Sequence, residues 1–195
     1  TDLGIGDEMN HWHSDIRHFS EFYCLWDSVR NANSLLMLFA PELQRDMLNC
    51  LLDVANKTGW LPDAWITGHS TKIQGGSSAD VLFNEAALKG ITGIDYAHAL
   101  SFMRKNNEVE SEDPYSHGRY LADYRDLGFV STNAINCVSR HWSTAIRTGA
   151  SAVSQNRSGN TRWPRGISKA RENFGICGGL TCCTLHRKIL TATGQ

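Results

Sequence analysis

The stretch SLLMLFAPELQRDMLNCLLDVANKTG, residues Ser34–Gly59, carries the clearest structural pattern in the chain. Its apolar residues recur at spacings of three and four: Leu43, Met47, Leu51 and Val54. Spacing of this kind places side chains on one face of a helix and predicts a helix that packs against a core. Pro41 suits a first helical turn and Gly59 suits a helix end. The pattern predicts helix within residues 34–58.

Further helices are predicted downstream of this stretch. Each carries an apolar stripe, and they span residues 79–89, 96–106 and 118–127. Ser78 and Asp95 are placed to cap the first two, while Gly90 and Gly128 follow the ends of the first and third. No stretch shows a convincing alternation of period two. The sequence therefore predicts an all-α fold of consecutive antiparallel helix hairpins with long loops between them.

Charge divides the chain in two. Its net charge is −1, but residues 1–142 hold 11 Lys and Arg against 19 Asp and Glu. Residues 143–195 hold 8 basic residues and the single acid Glu172. Those basic residues are scattered, without the clustering or aromatic interleaving typical of nucleic-acid binding. No apolar run is long enough to span a bilayer. We therefore expect neither a nucleic acid nor a membrane as partner.

The segment FYCLWDSVRN contains the best candidate for a binding site. Sugars stack an apolar ring face on an aromatic side chain, while carboxylate and guanidinium groups bind their hydroxyls. Trp26, Asp27 and Arg30 supply these groups within five consecutive positions. A core tryptophan beside a structural Asp27–Arg30 ion pair explains the same spacing equally well.

A family resemblance follows from several stretches taken in order. FYCLWDSVRN, GWLPDAW, QGGSSADVLFNEAALKG, HGRYLADYRDLGF and SRHW are similar, in order and spacing, to the catalytic domain of the family 92 glycoside hydrolases. These are calcium-dependent α-mannosidases, and within the family the sequence most resembles a fungal branch. The resemblance runs from Glu21 to Trp142 and implies part of an (α/α)6 toroid.

The resemblance also implies a reaction, a ligand and a cofactor. Family members are inverting exo-α-mannosidases, so the implied partner is a mannose-containing glycan, the implied cofactor is Ca²⁺, and secretion is implied as well. Trp26 and Asp27 match the pair that lines the subsite of the sugar being cleaved, and Arg30 stands beside them. The family's acid, base and calcium ligands lie beyond the part that matches, so no catalytic or metal-binding residue is assigned here.

Residues 143–195 are interpreted as an out-of-frame, unstructured tail. After Trp142 the chain reads STAIRTGAS where the family has a segment like EYxYxDW. One restored G before the codon of Ser143 gives codons that can spell E-Y-G-Y-Q-D-W-C-I. The same frame turns residues 160–178 into an amphipathic helix. The expected organisation is an irregular segment 1–20, a partial toroid 21–142 and the tail 143–195.

Two functional hypotheses follow. The first is a fragment of an inverting exo-α-mannosidase, inactive as written because the acid, base and calcium ligands are missing. The second is a non-catalytic helical domain that binds carbohydrate or a protein through the loops around Trp26 and Trp60.

Overall fold

The computed structural model describes residues 14–19, 21–22, 25–66, 69–70, 78–113, 121–127, 129–134 and 137. Six helices and three short strands follow one another in these ranges. In chain order they are β1 Glu21–Phe22, α1 Leu25–Ser28, α2 Ala32–Phe39, α3 Pro41–Thr58, β2 Trp65–Ile66, β3 His69–Ser70, α4 Ser78–Leu88, α5 Tyr96–Glu108 and α6 Leu121–Leu127. The fold class is all-α, as predicted from the sequence.

The predicted helix over residues 34–58 is two helices. Ala40 separates α2 from α3 with φ −144° and ψ 61°, which is not a helical conformation. Pro41 explains the break, because its ring disfavours helical geometry at the preceding residue and it has no N–H to continue the ladder of α2. α2 begins at Ala32, and the preceding Asn31 caps it, since its side-chain oxygen accepts the Ala32 N–H at 2.7 Å. The two helices pack against each other as a hairpin with a one-residue connection.

Three of the predicted helix caps and ends are confirmed, and one of them is Gly90, which follows the end of α4 with φ 75°. Gly59 adopts a left-handed conformation (φ 83°) and its N–H donates to the Ala55 carbonyl at 2.8 Å, which ends α3. Asp95 caps α5 by accepting the His98 N–H at 2.9 Å. The prediction for Ser78 is wrong, because Ser78 is the first residue of α4 rather than its cap. Gly128 and residues 118–120 lie outside the described ranges.

The core forms around α3. Two of the four predicted stripe residues, Leu51 and Val54, are fully buried, whereas Leu43 and Met47 are only half-buried. α4 and α5 complete the cluster. The fully covered apolar side chains include Leu48, Leu51, Val54 and Ala55 of α3 with Leu82, Phe83 and Ala86 of α4. Ala99 and Met103 of α5 close it.

A small antiparallel sheet was not predicted. β1 pairs with β2, and β2 pairs with β3, in the register Glu21 to Ile66 and Trp65 to Ser70. Each strand has two residues, which is too short for a period-two pattern to appear in the sequence. The sheet joins the chain before α1 to the chain after α3.

The described helices do not include one that is both long enough and apolar enough to cross a bilayer.

The prediction for α6 holds in part: Leu121 and Tyr124 are buried, whereas Leu127 at its end is 50% exposed.

The N-terminal segment 14–19 contacts α3 through Cys50. The Cys50 thiol is fully buried, accepts the Phe19 N–H at 3.3 Å and lies 3.3 Å from Nδ1 of His18. Burial raises the pKa of this thiol from 9.0 to about 11. The protonated form is therefore the one that the folded protein stabilises.

We expect the free energy of unfolding to fall as the pH rises from about 9 toward 11. The unfolded chain loses the Cys50 proton near its ordinary pKa of 9.0, whereas the folded chain keeps it until about 11, so high pH favours the unfolded state. Urea titrations between pH 8 and pH 10 measure this slope. Cys50→Ala should flatten this slope. The comparison holds below pH 10, where Tyr96 does not yet lose its proton. An equal slope in both proteins would show that Cys50 does not cause it.

The outer face of α2 is apolar and open. Leu35, Leu38 and Phe39 are 52%, 64% and 82% exposed, and their spacing of three and four positions places them on one face of the helix. We expect the purified chain to self-associate through this face. The double variant Leu38→Gln, Phe39→Ser should sediment more nearly as a monomer with unchanged helical circular dichroism. Leu127→Gln, on α6, is the matched control, and an equal effect of both would contradict the assignment.

Candidate functional site

Helix α1 carries the residues predicted to bind a ligand. It is a single turn of four residues that packs against α4. Leu25 anchors it in the core at 2% exposure. Trp26 is 9% exposed, so most of its indole is covered. Little of Trp26 is therefore open to a ligand.

Asp27 and Arg30 face solvent. Both side chains are exposed, and no ion pair joins them to each other in the described part of the chain. The Arg30 Nε–H instead donates to the Trp26 carbonyl at 3.2 Å, which holds the base of the guanidinium beside α1. The carboxylate and the guanidinium are thus both open to an external polar group.

The start of α4 is fixed by a residue that sequence reasoning missed. Oδ1 of Asp63 accepts the Ser78 N–H at 2.7 Å, and both residues are buried. Asp63 therefore does what was expected of Ser78: it satisfies an N–H at the first turn of α4. No local pattern could reveal the bond, because 15 positions separate the two residues. Residues 74–77 of the QGGSS segment lie outside the described ranges.

Trp60, the second aromatic residue considered for binding, is covered on one face. Nζ of Lys105 lies 4.4 Å from the centre of its ring. The same ammonium group donates to the Gly59 carbonyl at 2.8 Å, which holds it over the ring. That face of Trp60 is therefore not open for stacking against a sugar.

A calcium site does not form among the described residues. No group of three His, Cys, Asp or Glu side chains within them is arranged to hold a metal ion. Calcium takes six to eight oxygen ligands, so the described residues do not fit a calcium ion.

The chain matches the model of the glycosyl hydrolase family 92 catalytic domain over residues 5–161, and it belongs to this family. The match begins before Glu21 and ends beyond Trp142, so it is wider than the segment 21–142 that the sequence resemblance covered.

The chain is also similar to a curated glycosidase and to a solved structure of a family 92 enzyme. An uncharacterized secreted glycosidase of Arthroderma benhamiae is 36% identical over 87 residues, which cover 44% of this chain and 11% of the relative. The structure of a family GH92 inverting mannosidase from Bacteroides thetaiotaomicron superposes with a TM-score of 0.69 and 20% sequence identity. That superposition covers 77% of this chain and 20% of the mannosidase, so the chain spans a small part of both relatives.

We expect Asp63→Ala to lower the free energy of unfolding by about 1–3 kcal/mol, because it leaves the buried Ser78 N–H without its acceptor. Asp63→Asn keeps a side-chain oxygen and should cost less. Asp95→Ala removes an exposed cap from α5 and is the matched control, with an expected loss of about 1 kcal/mol. Urea denaturation measures all three variants. A loss for Asp63→Ala well below about 1 kcal/mol would show that the buried bond contributes little to stability.

Proposed function

We propose that this chain contributes part of the mannose-binding subsite of a family 92 α-mannosidase, through Trp26, Asp27 and Arg30. One observation carries the proposal: Asp27 is exposed on a helix whose neighbouring residues Leu25 and Trp26 are buried. Packing thus fixes the backbone of α1 while its carboxylate stays open. Family membership makes a glycoside the expected ligand.

The chemistry of the three side chains suits a sugar. An ionised carboxylate has two oxygens that accept hydrogen bonds from hydroxyl groups, and a guanidinium has five N–H donors. Hydrogen bonds in which one partner is charged are roughly twice as strong as neutral ones. Asp27 and Arg30 would bind hydroxyls of mannose, and the small exposed part of Trp26 would contact the sugar ring.

We propose further that the chain by itself hydrolyses no mannoside. Inverting glycosidases need an acid at the leaving oxygen and a base for the water, held by carboxyl groups about 6.5–9.5 Å apart. The family resemblance supplies no residue of this chain for either role. It also implies calcium, for which the described residues form no site. Asp27 would bind the substrate without transferring a proton.

The out-of-frame interpretation of residues 143–195 is part of this proposal. The family match continues to residue 161, so part of it lies within the segment that is interpreted as out of frame. Sequencing the transcript across the codons of Trp142 and Ser143 tests it. A missing G before the Ser143 codon supports it, and a transcript that encodes the residues as written contradicts it.

We propose a mannose-containing glycan as the partner, and we propose that the protein is secreted. The Arthroderma benhamiae relative is described as secreted, which supports the second point. The alternative of a non-catalytic binding domain gains less support, because one face of Trp60 is covered by Lys105.

Sugar binding and hydrolysis can be measured separately on the purified chain. We expect methyl α-mannoside to shift the backbone NMR signals of α1, and Asp27→Asn to weaken that binding about tenfold through loss of a charged acceptor. Asp126→Asn changes an exposed carboxylate on α6 and should leave binding unchanged. No release of nitrophenol from nitrophenyl α-mannoside is expected, with or without calcium.

Three results would contradict the proposal. If methyl α-mannoside does not bind, or binds the Asp27→Asn protein equally well, the assignment of the subsite is wrong. If the chain releases nitrophenol in a calcium-dependent reaction, the catalytic residues lie within it.

A further inference from the structure

A chain of side-chain hydrogen bonds runs from α3 through α2 to α1. The Gln44 amide on α3 donates from Nε2 to Oδ1 of Asn33 on α2, at 3.0 Å. The Asn33 amide donates from Nδ2 to Oγ of Ser28, the last residue of α1, at 2.8 Å. Ser28 directly follows Asp27, so the hydrogen bonds end at the residue next to the one with the exposed carboxylate.

This arrangement is not the one that packing alone would favour. Gln44 is 1% exposed and Asn33 is 3% exposed, on helices that otherwise bury apolar side chains. Oε1 of Gln44 is buried and accepts no hydrogen bond from the described residues. Burying a polar atom without a partner costs free energy, which an apolar side chain of similar volume would avoid. The unpaired Oε1 thus offsets part of what the bond from Gln44 to Asn33 contributes to stability, while that bond sets one particular geometry between the two helices.

Helix α1 needs such external support. With four residues it has few backbone hydrogen bonds of its own: Val29 N–H donates to the Leu25 carbonyl at 2.9 Å, and Arg30 N–H reaches the Asp27 carbonyl at 3.3 Å. A single turn is marginal in isolation, so contacts with other elements decide its orientation. Leu25 fixes one side of α1 in the core, and the Ser28 hydroxyl is held by Asn33.

We propose that Gln44 and Asn33 are positioning residues for Asp27. They act through Ser28, by fixing the rotation and tilt of α1 relative to the α2–α3 hairpin, and so determine where the Asp27 carboxylate meets the sugar. The inference rests on the proposed function of Asp27 as a sugar-binding residue. Its structural part, the ordering of α1 by these two amides, is measurable without any sugar.

The test compares two variants that each replace a buried amide with an apolar side chain of similar size. Gln44→Met removes the bond to Asn33. Asn106→Leu is the matched control, because the fully buried Asn106 donates to Oδ1 of Asp80 at 3.1 Å and its bond links α5 to α4 instead. Urea denaturation reports the global stability of both. Hydrogen exchange of the Val29 and Arg30 amides, followed by NMR, reports the order of α1.

We expect Gln44→Met to accelerate exchange at Val29 and Arg30 about tenfold more than its effect on global stability explains, as a local opening does. Asn106→Leu should accelerate these amides no more than its global effect predicts. Binding of methyl α-mannoside should weaken about fivefold in Gln44→Met, because a misplaced carboxylate forms poorer hydrogen bonds. It should stay unchanged in Asn106→Leu.

A second pair of variants tests the far end of the chain of bonds. Ser28→Ala removes the hydroxyl that Asn33 contacts and should reproduce the fast exchange of α1, whereas Ser28→Thr keeps a hydroxyl and should restore slow exchange. If exchange in α1 follows global stability in every variant, the positioning inference is wrong. If α1 exchanges as expected but the unaltered chain binds no methyl α-mannoside, the inference about α1 stands and the proposed function fails.

Discussion

Burial of helix α3 is the constraint on which the rest of the structure depends. Leu48, Leu51, Val54 and Ala55 have no exposed surface, and α2 and α4 both pack on this helix. Full burial of a leucine or valine side chain contributes about 1.5–3 kcal/mol, so this face supplies much of the driving force for folding. α3 also carries Gln44, so the packing that forms the core places the Gln44 amide where it bonds to Asn33 of α2. Asn33 in turn bonds to α1. The position of the candidate site is therefore a consequence of the core.

Local features of the sequence predicted the local features of the fold. Asp95 and Gly59 act within one turn of their helices, so their residue types were sufficient to predict both caps. Pro41 likewise carried a signal for the break at Ala40, which the apolar run across residues 34–39 obscured. The stripe on α3 was predicted correctly at Leu51 and Val54 but not at Leu43 and Met47, because the neighbours of a helix decide which part of an apolar face is covered.

Contacts between distant positions could not be predicted in this way. The bond from Asp63 to Ser78 joins a loop to a helix 15 residues away, and the bond from Gln44 to Asn33 joins two helices. Neither residue pair has a spacing that marks it in the sequence. The exposure of Asp27 and the burial of Trp26 also depend on where α4 packs, so the sequence suggested the site without showing which of its groups is open.

The central claim is that α1 holds the Asp27 carboxylate where it binds mannose. A crystal structure of the chain grown with saturating methyl α-mannoside tests this most directly. We predict the sugar on α1, with a hydroxyl within hydrogen-bond distance of the Asp27 carboxylate and Ser28 still bonded to Asn33. A structure in which the sugar lies elsewhere, or in which Asp27 makes no contact with it, would contradict the claim.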